Sequence, residues 1–141
     1  MRNNFPPFHL AFPVKDLIET RLFYTNFLGC TIGRTSTQWI DFNFYGHQIT
    51  AHLSPGSCDE VNNNKVDDKN VPVRHFGLIM DWADWHIAKN KLIKNKVQFI
   101  IEPYIRFKNK PGEQATLFIV DPSHNGIELK SFKDKSMIFA T

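Results

Sequence analysis

The sequence has little of several features that mark specialised classes of protein. Its 141 residues include only two cysteines, Cys30 and Cys58, with no CxxC pair, which excludes a disulfide framework and suits a reducing compartment. The net charge is only +3, and no basic cluster interleaves with aromatic residues, so nucleic acid is not the expected partner. The chain has neither a membrane-spanning apolar run nor a signal-peptide apolar segment. These absences predict a soluble, cytoplasmic protein that binds neither membrane nor nucleic acid.

Apolar residues, in contrast, are abundant. Hydrophobic residues make up 42% of the chain, and 13 of its residues are phenylalanine. This composition is enough for a packed core and argues against disorder. The length is that of one domain, or of two small halves that share a core.

A short pattern occurs twice. FHLAFPVKD (8–16) and RHFGLIMD (74–81) each place a histidine at the start of an apolar run and end with an aspartate. Each run reads as a strand, and each is followed by residues at helical spacing and then by three strand-like runs. Pro13 suggests an edge position or a strand end, and Asp16 suits the N-cap of the first helix. The repeat predicts an α+β fold of two tandem βαβββ modules.

The repeat also sets the expected boundaries. We predict one domain over residues 1–141, with module one at about 6–54 and module two at about 72–133. The polar segment between them, about 55–71, reads as a long connecting loop. In this alignment of the modules, His52 on the fourth strand corresponds to Glu128 on the last.

Strand alternation predicts which side chains share a face. His9 shares a face with Ala11, and His75 shares one with Gly77, whereas their bulky neighbours point the other way, toward the helices. If the two sheets form one curved surface, four side chains could converge on its concave side as ligands of Zn, Fe(II), Mn, Ni or Co: His9, His52, His75 and Glu128. A single strand histidine is more often an ordinary hydrogen-bonded residue, so the prediction depends on the symmetry of the repeat.

Several stretches resemble the vicinal oxygen chelate superfamily, which includes glyoxalase I, extradiol dioxygenases and the fosfomycin and bleomycin resistance proteins. They are HLAFPVKDLIETRLFYTNFLG, HFGLIMD and FIVDPSHNGIELKSF. The longer strings GRTSTQWIDFNFYGHQITAHL and IEPYIRFKNKPGEQATLFIVDP look like a small extradiol-dioxygenase-like branch. The resemblance covers nearly the whole chain and implies paired βαβββ modules around a concave metal site.

The resemblance also implies roles for particular residues. His9 and His75 match the first-strand metal ligands, and Glu128 matches the carboxylate ligand of the last strand. His52 holds the place of a fourth ligand or a nearby base, where the family often has Glu or Gln. A homodimer is implied as well. Separately from the resemblance, Gln48 near the candidate ligands and Tyr104 and Arg106 in a possible flap could contact the substrate.

Three functions remain open at this stage. The first is a dioxygenase-like oxidoreductase that uses Fe(II) or Mn(II) and acts on a small substrate with vicinal oxygens. The second is a glyoxalase-I-like lyase or isomerase that uses Zn, Ni or Co. The third is a non-catalytic drug- or metabolite-binding protein, which the presence of all four candidate ligands makes less favoured.

Overall fold

The chain divides into two compact units. The structure, a computed structural model, describes residues 5–141. Of these residues, one unit comprises 5–59 and the other 60–141. Each unit contains one of the predicted modules, and both combine helix and strand, so the α+β class is confirmed. No helix within residues 5–141 is long and apolar enough to cross a bilayer.

The first unit is a βαβββ module with its own four-stranded sheet. Its elements are β1 (His9–Val14), α1 (Leu17–Asn26), β2 (Thr31–Thr35), β3 (Trp39–Phe44) and β4 (His47–Leu53). The strands lie in the order β1-β4-β3-β2, with β1 parallel to β4 and the other pairs antiparallel.

The second unit repeats this topology after a short hairpin. Its elements are β5 (Asn63–Val66), β6 (Lys69–Pro72), β7 (His75–Ile79), α2 (Trp82–Lys94), β8 (Phe99–Arg106), β9 (Gln114–Val120) and β10 (Gly126–Phe132). The main sheet has the order β7-β10-β9-β8, again with only the first pair parallel. The predicted pair of βαβββ modules is therefore confirmed.

Aromatic packing places the first helix against its sheet. The side chain of Asp16 caps α1 by accepting a hydrogen bond from the amide of Glu19 at 2.8 Å. Tyr24 is fully buried, with its ring 5.5 Å from that of Phe12 on β1 and 5.2 Å from that of Phe42 on β3. The apolar side of β1 is therefore used for packing, which leaves His9 exposed on the other side.

The second helix is anchored to the strand that carries Glu128. Trp85 is buried, and its indole N–H donates a 2.8 Å hydrogen bond to the carbonyl of Leu129 on β10. Asp81 precedes this helix as Asp16 precedes the first, but its side chain makes no capping hydrogen bond. The Asp81 carboxylate instead pairs with Lys135.

The predicted loop at 55–71 is in part wrong, because it contains the β5–β6 hairpin. Asp67 and Asp68 form its turn with φ of 49° and 61°. Left-handed backbone at both turn positions suits the right-handed twist of paired strands, and aspartate tolerates it better than most residues. The hairpin gives no apolar alternation in the sequence because every residue of β5 is exposed.

Prolines lie on edge strands, as the missing amide hydrogen requires. Pro13 is on β1, at the edge of the first sheet, which confirms the predicted edge position. Pro103 is on β8, at the edge of the second sheet, and the pairing of β8 with β9 is irregular between Ile101 and Tyr104.

Candidate functional site

His75 and Glu128 form a close pair on one face of the second sheet. Strand β7 runs parallel to β10, with His75 opposite Gly126 and Gly77 opposite Glu128. The two side chains therefore point the same way from neighbouring strands, and His75 Nε2 lies 3.1 Å from Glu128 Oε2. The side chains are 29% and 16% exposed, respectively. The structure thus brings together two of the four predicted ligands.

A glycine allows this approach. A Cβ at position 77 would lie 1.6 Å from the carbonyl oxygen of Glu128, far inside any van der Waals contact. Only glycine therefore fits where β7 passes the backbone of Glu128. The small residue that the sequence places beside His75 is needed for strand pairing at the site.

The remaining polar atoms of the pair have partners of their own. His75 Nδ1 lies 2.7 Å from the carbonyl oxygen of Pro72. Since a carbonyl can only accept, Nδ1 carries the proton, and Nε2 is left to face Glu128. The hydroxyl of Thr116 donates to Glu128 Oε1 at 2.8 Å. Such outer contacts fix the orientation and tautomer of metal ligands in proteins.

The charges of the two groups stabilise each other. The hydrogen bond to Glu128 raises the pKa of His75 above its ordinary value, and this outweighs the opposing effect of burial. Burial raises the pKa of Glu128, but hydrogen bonds from His75 and Thr116, with the charge of Lys130, bring it below its ordinary value overall. In the absence of another ligand, the protonated imidazole and the carboxylate form an ion pair.

The donor set of this pair fits a divalent cation. A neutral imidazole nitrogen and a carboxylate oxygen on one face are ligands that Zn, Fe(II) and Mn(II) all accept. A cation at Nε2 would take the place of the proton, and Nδ1–H would keep its bond to Pro72. Within residues 5–141, however, no group of three or more His, Cys, Asp or Glu side chains is close enough to hold an ion.

The other two predicted ligands lie in the first unit and are further apart along its sheet. His9 is opposite Gln48, whereas His52 is opposite Pro13. Both histidines are exposed and share a face. They are separated by four residues along the paired strands, about 13 Å at the usual rise of a strand. His75 and Glu128 are separated by only two residues in the corresponding direction.

The register places a different residue in the position of Glu128. Thr50 is opposite Ala11 in the first sheet, just as Glu128 is opposite Gly77 in the second. The predicted alignment of His52 with Glu128 is therefore wrong by two residues. The role of His52 as a ligand or base stays a prediction.

Asp41 is a candidate catalytic carboxylate that the sequence patterns do not single out. It is 7% exposed and lies opposite Thr50, whose hydroxyl donates to Asp41 Oδ1 at 2.7 Å. Arg34 Nε lies 3.7 Å from its other carboxylate oxygen. The signal was present in WIDFNF, where an acid stands among apolar residues of a buried strand.

The three predicted substrate residues lie in two places. Gln48 borders a depression of about 390 Å³ in the first unit, together with Asp41 and Arg34. Tyr104 and Arg106 lie on β8 of the second unit, and both contact the carboxylate of Asp67.

The comparisons with known proteins agree with this fold. The model of the Glyoxalase/Bleomycin resistance protein/Dioxygenase superfamily matches residues 7–129. The crystal structure of a glyoxalase/bleomycin resistance protein/dioxygenase from Alicyclobacillus acidocaldarius is 31% identical, with a TM-score of 0.79, and the match covers 99% of this chain and 100% of that one. A search of curated proteins found no match.

Two more distant structures are similar in fold alone. The fosfomycin resistance protein FosX from Listeria monocytogenes is 16% identical, with a TM-score of 0.69 over 92% of this chain and 95% of that one. The lactoylglutathione lyase from Agrobacterium tumefaciens is 14% identical, with a TM-score of 0.62 over 97% and 100%. From the extent of the family match and the identity to the Alicyclobacillus protein, this chain belongs to the Glyoxalase/Bleomycin resistance protein/Dioxygenase superfamily.

Proposed function

We propose that this protein is a metal-dependent enzyme of the glyoxalase/dioxygenase type, with His75 and Glu128 as metal ligands. The observation that carries the proposal is the 3.1 Å approach of His75 Nε2 to Glu128 Oε2. A largely buried carboxylate needs a positively charged partner. A divalent cation can fill this role as well as the protonated imidazole does. The contacts from Pro72 and Thr116 orient both donors for that exchange.

The proposal includes His9 as a further ligand and His52 as a fourth ligand or a nearby base. Support for His9 is its position in the repeat, since it occupies on β1 the place of His75 on β7. In the first sheet, Thr50 occupies the position that corresponds to Glu128. A threonine hydroxyl is a poor ligand for these metals. The set His9, His75 and Glu128 is then two histidines and one carboxylate, the donor set of non-haem Fe(II) oxygenases, which leaves coordination positions open.

A count of three ligands, with His52 as a nearby base, favours the dioxygenase-like reaction, with Fe(II) or Mn(II), on a small substrate that has vicinal oxygens. The bound metal would act as a Lewis acid on those oxygens. Other residues of the chain orient the ligand atoms of His75 and Glu128 and adjust the charge at the site. Lys130 Nζ lies 3.9 Å from Glu128 Oε1 and offsets part of its negative charge.

A glyoxalase-I-like lyase or isomerase, with Zn, Ni or Co, is the second candidate. The observation that favours it is Asp41. Isomerisation requires a base to move a proton, and Asp41 is a buried carboxylate on the same face as His9. A non-catalytic drug- or metabolite-binding protein is the remaining alternative, and we expect it only if no metal binds.

Metal analysis of the anaerobically purified full chain tests the proposal. We expect about one metal ion per chain, with binding lost in His75→Ala and in Glu128→Gln. His86→Ala is the matched control, because His86 is a half-buried residue of α2 that contacts Trp82 and Trp85 and has no contact with Glu128, so it should leave the metal in place. Absence of metal after reconstitution with Fe(II), Mn(II), Zn(II), Ni(II) and Co(II) would contradict the proposal.

Oxygen consumption then separates the two reactions. Uptake of dioxygen with catechol-type substrates by the Fe(II) or Mn(II) form supports the dioxygenase. Conversion of α-oxo thiol adducts without oxygen uptake, lost in Asp41→Asn, supports the lyase. Homodimer formation is part of the proposal, and sedimentation of the purified chain measures it.

A further inference from the structure

The β5–β6 hairpin brings a carboxylate against two polar side chains of the main sheet. Asp67, at the hairpin turn, accepts a 3.0 Å hydrogen bond from the Tyr104 hydroxyl. It also accepts one of 3.3 Å from Nη2 of Arg106, whose Nε lies beside the other carboxylate oxygen. The guanidinium therefore contacts both oxygens of one carboxylate, the arrangement in which arginine recognises this group best.

The sheet side of this contact is held in place without Asp67. Arg106 Nη1 donates to Gln114 Oε1 at 3.4 Å, and the guanidinium lies 5.0 Å from the centre of the Phe107 ring. The ammonium of Lys69 lies 4.7 Å from the centre of the Tyr104 ring and adds positive charge. Because these contacts do not involve Asp67, Arg106 stays in position to donate hydrogen bonds to another carboxylate.

Asp67, in contrast, belongs to an exposed element. Its side chain is 40% exposed, against 22% for Arg106, and every residue of β5 is exposed. A two-stranded hairpin is only marginally stable by itself, and the strands of this one bury only Pro72. Displacing its turn from the sheet therefore costs little compared with moving Arg106.

The contact lies on the same face of the sheet as His75 and Glu128. Tyr104 is opposite Thr116 on β9, which in turn is opposite Lys130 on β10, and directly opposed residues share a face. Glu128 is two residues from Lys130 on the same strand and shares that face. Two strand spacings and two residues separate Tyr104 from Glu128, about 12 Å between their Cα atoms, which a small organic molecule can span.

We propose that Tyr104 and Arg106 form a subsite for a carboxylate group of the substrate, and that Asp67 occupies this subsite until a ligand displaces the hairpin turn. The assignment of that carboxylate to a substrate rests on the proposed function, since it needs a reaction at His75 and Glu128. The subsite itself does not, because it can be tested without metal.

Benzoate and benzamide are matched probes, because benzoate carries a carboxylate where benzamide carries a neutral amide on the same ring. We expect benzoate to bind the metal-free full chain and to shift the backbone amide signals of residues 63–71 and 104–107 in NMR spectra. Benzamide should leave these signals unchanged. Equal shifts with both compounds, or none with benzoate at high concentration, would overturn the inference.

Two variants of the same turn test the competition. Asp67→Asn removes the internal competitor, so benzoate should bind about tenfold more tightly. Asp68→Asn removes the same charge from the neighbouring left-handed position, which asparagine also tolerates, and its side chain is not in the contact with Tyr104 or Arg106. Asp68→Asn should change the affinity less than twofold, and equal gains in the two variants would contradict the proposal.

Arg106→Gln tests the cation directly, with Arg74→Gln, an exposed arginine of the same unit, as its control. Benzoate affinity should fall at least about tenfold in the first and stay unchanged in the second. Failure of the metal assay with benzoate binding intact would contradict the proposed function and leave the subsite standing. Normal metal binding with benzoate affinity unaffected by Arg106→Gln would contradict the subsite alone.

Discussion

His75 and Glu128 meet on one sheet face because their strands pair in parallel with a two-residue stagger, so that Nε2 of the imidazole lies 3.1 Å from the carboxylate. The stagger is a property of the backbone register and does not depend on either side chain. Substitutions near the pair can therefore disturb it in two separate ways, by moving the strands or by removing contacts that orient the donors.

Gly77→Ala is expected to move the strands. Its Cβ would meet the carbonyl of Glu128 at 1.6 Å, so β7 and β10 must separate. We expect a loss of about 3 kcal/mol in the free energy of unfolding, at the upper end for steric overpacking, together with loss of metal binding. Urea unfolding and metal titration measure the two effects.

Gly56→Ala is the control for that variant, because a Cβ at position 56 would have no atom within 4 Å. Its free energy of unfolding should change by less than about 0.5 kcal/mol, as for most surface substitutions. If Gly77→Ala were as stable as Gly56→Ala, the close approach of the two strands would be disproved.

Thr116→Val is expected to disturb orientation without moving the strands. It keeps the shape of the side chain but removes the hydroxyl that donates to Glu128 Oε1. Loss of such an outer contact typically lowers metal affinity 10- to 100-fold, so we expect about tenfold here. Calorimetric metal titration measures it. Thr31→Val, on an exposed position of β2, should bind metal as the unchanged protein does.

Trp85→Phe tests how α2 holds β10. The substitution removes the indole N–H that donates to the carbonyl of Leu129 and leaves space in the core. We expect the free energy of unfolding to fall by about 2 kcal/mol. Trp82→Phe, at a half-buried position on the same helix, should cost less than about 1 kcal/mol. Similar costs for both would show that the Leu129 contact does not stabilise the fold.

The hairpin contact predicts a specific dependence on pH. Hydrogen bonds from Arg106 and Tyr104 lower the pKa of Asp67 below its ordinary value of 3.8. Because the folded pKa is the lower one, the carboxylate stabilises hairpin docking fully above the ordinary value, and this stabilisation is lost as the pH falls through the lowered pKa. Amide exchange of residues 63–71, corrected for intrinsic rates, should therefore show constant protection from pH 7 to about 4.

Asp67→Asn provides the comparison for that measurement. Its hairpin amides should exchange faster at neutral pH and show no further loss of protection in acid. Protection that disappears already near pH 5 in the unchanged protein would mean that the Asp67 carboxylate does not hold the hairpin against β8.

The sequence was informative wherever a pattern is local. Alternation in HLAFPV and HFGLIM predicts that the bulky neighbours of His9 and His75 face the helices, because side-chain direction depends only on strand geometry. In the structure, Phe12 lies in the core and His75 on the open face. Alternation cannot distinguish registers that differ by two residues, since both put the same set of side chains on the same face. For that reason the alternation is consistent with an alignment of His52 with Glu128, although backbone pairing places Thr50 there.

The sequence does not predict contacts between surface segments that are far apart along the chain. Asp67 and Arg106 are brought together by a hairpin whose strands carry no apolar pattern. Nothing in the local spacing of NKVDDKNV indicates that its turn would lie against β8.

The measurement that tests the central claim most directly is the ¹⁵N NMR spectrum of the histidine side chains during titration with Zn(II), a diamagnetic ion. The account predicts that His75 Nε2 shifts to the value of a metal-bound nitrogen while Nδ1 stays protonated on the Pro72 carbonyl, and that His86 does not respond. A His75 signal that stays unchanged at saturating Zn(II) would contradict it.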